Sequence, residues 1–217
     1  MLEIVKNKSY PPAIEIVTIS RSSLALTSVL FFGSGVAALL YQMAWQRMLF
    51  GWYGVDLDSV SAIVSIFMLG LGLGAVTGGW LADRFQRHRI FIFALIELTI
   101  AIFGIFSLDV IDSIGSRFVA SSLPYIIILT FVVFIIPTCA MGATLPVLVT
   151  ELVARTHNVG FSTGSLYFVN TLGAAVGAFA AGFILLPRGG LDGLVTIAAA
   201  LNFSVSAVAY VAFRRSL

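Results

Sequence analysis

The sequence predicts an all-α fold, a polytopic membrane helix bundle of about six transmembrane helices. Three observations predict it. First, 59% of the 217 residues are hydrophobic and only 10% are charged, against about 25% charged in an average soluble domain. So few charges cannot cover a water-facing surface, and acyl chains must solvate much of the chain. Second, six apolar stretches reach the roughly 20 residues a helix needs to cross a hydrocarbon core of about 30 Å. Third, the basic residues are sided consistently along the chain.

The stretches run from about residue 24 to 44, 60 to 82, 90 to 108, within 118 to 150, 161 to 186 and 191 to 213. Each is too long and continuous for a barrel strand, which alternates over about ten residues. Helices are the remaining way to satisfy every backbone group inside a bilayer. Before them, residues 1–22 read as a cytoplasmic or interfacial arm, and residues 23–217 as one transmembrane domain. The arm alternates from Ile14 to Ser20. It carries Glu3, Lys6, Lys8, Pro11, Pro12, Glu15 and Arg21, so no cleavable signal peptide is expected.

Orientation follows from the Lys and Arg count. With the N-terminus inside, Lys6, Lys8, Arg21, Arg84, Arg87, Arg89, Arg155, Arg214 and Arg215 are cytoplasmic. Arg47, Arg117 and Arg188 are outside. Nine against three places both termini in the cytoplasm, in a multi-pass protein of the plasma (inner) membrane. Trp45 and Trp52 are expected in an outer aromatic belt.

Small residues mark the packing faces. Gly70, Gly74 and Gly78 repeat every four residues, as do Gly173, Gly177 and Ala181. In lipid such rows let helix backbones approach closely. A sliding or rocking surface is the functional alternative. Pro137 and Pro146, with Gly142 between them, are expected to interrupt the fourth helix. Two G-x-G-x-x-A matches, at Gly33 and Gly70, sit inside helices with no preceding strand, so they are not nucleotide loops.

Glu97 is the one carboxylate well inside a predicted span, roughly 12 Å in from Arg89 at 1.5 Å per residue. Thr138, Asn170, Thr171 and Asn202 come to similar depth, and together they predict one polar layer. A buried ionisable residue in the membrane is a functional hypothesis by default. A carboxylate at this depth binds a cation or carries a proton; the structural alternative is a protonated Glu bonded to a neighbouring helix. Tyr41, Gln42, Trp45 and Arg47 close the first span, as a snorkelling anchor or a substrate gate at the outer rim. Asp83, Arg84 and Arg87 lie in the second-to-third loop. They fix its cytoplasmic side or latch it. His88 and His157 are the only histidines, both near loops, and the single Cys139 has no partner. No metal, cofactor or nucleic-acid partner is expected.

The loop Gly79-Trp80-Leu81-Ala82-Asp83-Arg84, followed by Arg87 and Arg89, resembles the cytoplasmic signature of major facilitator transporters. Gln86 stands where that signature usually has Gly. Further stretches are more specific: Phe32 to Gln42 with Trp45 and Arg47, Phe67 to Gly74, Pro137-Thr138 with Met141 to Pro146, Tyr167 to Ala174, and Gly182 to Pro187. Across roughly residues 30 to 210 they resemble the membrane domain of fused membrane-bound spermidine synthase-like proteins. Gln42 replaces the Glu common in that family.

The resemblance implies a fold like half of a major facilitator transporter. It also implies that this chain is not an enzyme, because the family's catalytic synthase domain has no counterpart here. Two functions follow. One is a half-size transport module for a small cationic metabolite, polyamine-related by resemblance. It would work as a homodimer, with Glu97 attracting the cation and the Asn and Thr residues solvating it. The other is a non-catalytic anchor or assembly subunit for a synthase-like enzyme or another membrane complex.

Overall fold

The computed structural model describes residues 21–54, 57–118 and 123–214. Of the expected arm over residues 1–22, residues 1–20 lie outside them, and Arg21 and Ser22 already belong to the first helix. The helices are α1 (Arg21–Tyr53), α2 (Leu57–Arg84), α3 (Arg89–Phe118), α4 (Leu123–Thr156), α5 (Val159–Ala180) and α6 (Leu186–Arg214). A short 3-10 turn, Gln86–His88, joins α2 to α3, and a π segment, Ala181–Leu185, continues α5 towards α6. No strand occurs among the described residues.

Five continuous helical segments are long and apolar enough to cross a membrane. The last, Val159–Ala212, has 54 residues, twice the roughly 20 a single span needs. Gly190 divides it: its φ of 61° and ψ of −160° lie outside any helix. That φ favours glycine, which has no Cβ to clash. The neighbours of α1 confirm the reversal. Phe32 and Val36 meet Gly173 and Gly177, so α1 and α5 run parallel. Gly33 meets Val205, while Met43 and Arg47 share a cleft with Leu194, so α6 runs antiparallel to α1. Among the described residues, the five segments therefore provide six helices of spanning length.

Parallel pairs dominate the packing. α2 lies along α4 and α1 along α5, while α3 and α6 pair in opposite directions. Small residues set both parallel seams. A Cβ on Gly70, Gly74 or Gly78 would overlap Thr138, the Cys139 carbonyl or Ala143, and one on Gly142 would strike the Leu71 backbone. Gly173 and Gly177 face the Phe32 and Val36 backbones in the same way. The glycine rows thus serve close packing, as their spacing predicts. The prolines do not stop α4, which runs through both Pro137 and Pro146.

The ends of the bundle divide the basic residues. Arg84, Arg87, Arg89, Arg155 and Arg214 stand at one end, Arg47, Arg117 and Arg188 towards the other. At α4–α5 the chain turns on His157, whose φ is 52°. Asn158 then caps α5, its Oδ1 accepting from the Phe161 N–H at 2.9 Å.

The core is aromatic where four helices meet. Trp45 is fully buried; it stacks on Tyr41 at 5.1 Å and meets Phe103 and Phe134 edge-on at 5.7 and 5.0 Å. Its Nε1–H donates to Ser107 Oγ at 2.8 Å. This corrects the outer-belt placement of Trp45 and the rim placement of Tyr41. The first helix runs to Tyr53 rather than ending near residue 44, so these rings lie inside the bundle. Trp45→Ala is expected to destabilise the protein by about 3–5 kcal/mol through cavity formation. Trp45→Phe should cost less than half of that. Unfolding midpoints in detergent check both.

Candidate functional site

A cavity of about 150 Å³ opens between α1, α2, α3, α4, α5 and α6. Its polar lining is Ser34, Gln42, Thr144, Asn170 and Asn202; Leu39, Leu71, Ile100 and Met141 form much of the rest. No lining residue carries a charge. The geometry arises from helix periodicity. Ser34, Ala38 and Gln42 are four residues apart and share one face of α1. Gly35 lets α5 approach, because a Cβ there would overlap the Asn170 carbonyl and side chain. Asn170 is thereby held at the cavity edge.

Glu97 sits behind this lining. Its side chain is fully buried and is not part of the cavity wall. Ser34 Oγ donates to Glu97 Oε1 at 2.6 Å, so one hydroxyl separates the carboxyl from the cavity. Glu97 Oε2 is buried with no hydrogen-bond partner, as are Tyr41 Oη and Asn202 Oδ1. Leaving such atoms unpaired costs about 1–3 kcal/mol each, more for a charged group. One turn before Glu97, Ser206 Oγ donates to the Ala94 carbonyl at 2.7 Å and locks α6 against α3.

The polar layer read from depth divides on inspection. Glu97, Asn170 and Asn202 come together around the cavity. Thr138 is buried against Gly70 and gives its hydroxyl to the Phe134 carbonyl at 2.6 Å, away from the cavity. Thr171 is exposed on the outer face of α5. Depth fixes only the position along a helix; the 100° step per residue decides the facing direction, which removes Thr171 from the layer. Gln42, placed at the rim by sequence, lines the cavity instead, because α1 continues well past it. Ser34 and Thr144 were not singled out in the sequence. The signal for Ser34 was its four-residue spacing from Ala38 and Gln42.

Arg47 does lie near a bundle end. It is exposed beside an apolar cleft of about 270 Å³ formed with Met43, Phe50, Ala181, Leu186 and Leu194. At the opposite end Asp83, Arg84 and Arg87 are all exposed, and Asp83 forms no ion pair among the described residues. The clamp there is Arg89. Its Nε donates to the Ala82 carbonyl at 2.9 Å and its Nη1 to the Thr150 carbonyl at 3.3 Å, joining α2, α3 and α4. No group of three or more metal-ligating side chains occurs among the described residues.

Residues 24–216 match the family model of the Major Facilitator Superfamily. A polyamine aminopropyltransferase from Oceanobacillus iheyensis is 19% identical over 202 residues, which cover 92% of this chain and 38% of that protein. The chain thus spans well under half the length of the curated relative it matches. No solved structure matches it.

Proposed function

Because this chain belongs to the Major Facilitator Superfamily, we propose that it is a half-size transport module for a small cationic metabolite, with polyamines as candidate cargo. One observation carries this reading. A polar cavity lies within the bundle, and Glu97, the one buried carboxyl among the described residues, stands one hydroxyl behind its wall. Inside a membrane, charge is retained where it meets cargo or protons. Ionised, Glu97 attracts an ammonium group across Ser34. Asn170, Asn202, Gln42 and Thr144 replace water around it with carbonyl and hydroxyl oxygens. The name of the aminopropyltransferase relative supplies the polyamine class. A second copy supplies the other half of a two-half pathway. Both termini face the cytoplasm in this reading, since the end bearing Arg84, Arg87, Arg89, Arg155 and Arg214 holds more basic residues than the other.

Purified protein in vesicles preloaded with unlabelled spermidine tests this. Labelled spermidine should enter by counterflow, and excess unlabelled putrescine should slow it. Vesicles no faster than protein-free ones would remove the transport reading.

A second reading also has an observation behind it: 92% of this chain aligns with part of a protein named as an enzyme. A non-catalytic anchor for a synthase-like partner fits that alignment. Stoichiometric copurification of such an enzyme, with no counterflow, is its expected result.

A further inference from the structure

We propose that the cleft beside Arg47 holds one anionic phospholipid, its phosphate on the guanidinium and an acyl chain in the cleft. The inference needs only that the bundle sits in a bilayer, and it stands apart from the transport reading. The local backbone builds the cleft. Between α5 and α6 the helix widens into a π turn, in which the Leu186 N–H donates to the Ala181 carbonyl five residues back. Such turns gather at functional sites. Ala181 and Leu186, the two residues joined by this bond, both line the cleft, and Ala181 offers it only a methyl group. Met43 and Phe50 of α1 and Leu194 of α6 complete a space of about 270 Å³.

The lining decides what fits inside. Among the described residues, only Gln46 and Arg47 bring polar side chains to it. An ordered water needs two to four polar partners, so the apolar depth of the cleft selects hydrocarbon. At about 30 Å³ for a water-sized group it takes roughly nine methylenes. Arg47 is exposed, and Met43, Gln46, Phe50 and Leu186 are half-buried, so the cleft opens on the surface of the bundle. An acyl chain can enter it there from the bilayer.

Charge selects the headgroup. Arg47 lies five residues before Trp52, where the apolar segment ends. That is about 8 Å from the end at 1.5 Å per residue, and the long side chain reaches the phosphate level by snorkelling. The guanidinium forms no ion pair among the described residues, and its forked donors match two phosphate oxygens. Gln46 adds an amide donor beside it. No carboxylate lines the cleft, so the ammonium of a zwitterionic headgroup finds no partner there. Asp109 and Asp192, acids of the same end, line a separate pocket between α3 and α6. Arg188 stands outside the lining and gives its Nη1–H to the Ile184 carbonyl at 2.9 Å. A lipid with a net negative headgroup is the occupant that fits.

The test uses the full chain, purified in a neutral detergent and stripped of lipid, with phosphatidylglycerol and phosphatidylcholine of identical chains as probes. Native mass spectrometry should show one phosphatidylglycerol per chain, held about tenfold more tightly than phosphatidylcholine. Arg47→Gln should abolish that preference, and Arg47→Lys should keep part of it. Arg117→Gln removes the same charge from the same end, away from the cleft, and should bind like wild type. Leu186→Trp fills the cleft and should weaken both lipids while eluting like wild type on gel filtration. Equal affinity of the wild type for the two lipids would overturn the proposal, as would equal losses in Arg47→Gln and Arg117→Gln. Soluble glycerol phosphate that displaces the lipid at equal concentration would assign Arg47 to free phosphate and remove the acyl chain from the site. A dimer that excludes lipid and is broken by Leu186→Trp would replace the lipid with a second copy of the chain.

Discussion

Replacing Glu97 with glutamine is expected to abolish spermidine uptake while leaving the bundle folded. Glutamine has almost the same shape. Its amide oxygen accepts the Ser34 hydroxyl as Oε1 does now, and its NH2 occupies the place of Oε2, which has no partner today. Packing is thus preserved, and neutral replaces ionisable. What disappears is the negative charge that Glu97 can offer the cavity, whose wall carries none among the described residues. An uncompensated ammonium in a low-dielectric site costs several kcal/mol, and each 1.4 kcal/mol is tenfold in occupancy. Counterflow should fall to the protein-free rate with an unchanged unfolding midpoint in detergent. Full uptake by this variant would remove Glu97 from the site.

Gly74→Leu is expected to have the opposite signature, losing the fold and the activity together. The Cβ alone would overlap the Cys139 carbonyl, and backbone cannot swing aside as a flexible side chain can. Gly70 and Gly78 tie the same seam one turn away on each side, against Thr138 and Ala143. Pushing α2 off α4 would separate a face that membrane helices hold together by close approach rather than by a hydrophobic driving force. The variant should aggregate on gel filtration in detergent. By contrast, Gly72→Leu has open space at its Cβ and should elute like wild type. Equal behaviour of the two variants would contradict the seam.

Much of this architecture was legible in the residues, for one physical reason. A bilayer offers the backbone so few options that length and apolarity nearly determine each element. The glycine rows carried the α2–α4 and α1–α5 seams in the same direct way, because only a missing side chain permits that approach. What the sequence left open was rotation and extent. From the sequence Trp45 reads as part of an outer belt or rim, whereas it is a core residue. Its burial depends on α1 continuing to Tyr53, through Gln46 and Arg47, which a hydropathy argument treats as a boundary. Thr171 shares its depth with Glu97 and faces outward nonetheless. Ser34 carries no charge and attracts no notice until the parallel alignment of α1 and α3 sets it opposite Glu97.

The order of the helices has a consequence for biogenesis. α1 barely touches α2, its neighbour in the chain; its companions are α3, α5 and α6. Of the six described helices, α1 leaves the ribosome first and is thus among the last of them to be enclosed. Until α5 and α6 arrive, the flank bearing Ser34 and Gln42 must shelter in the insertion machinery or against lipid. Co-translational crosslinks from that flank should persist until the sixth helix has been synthesised.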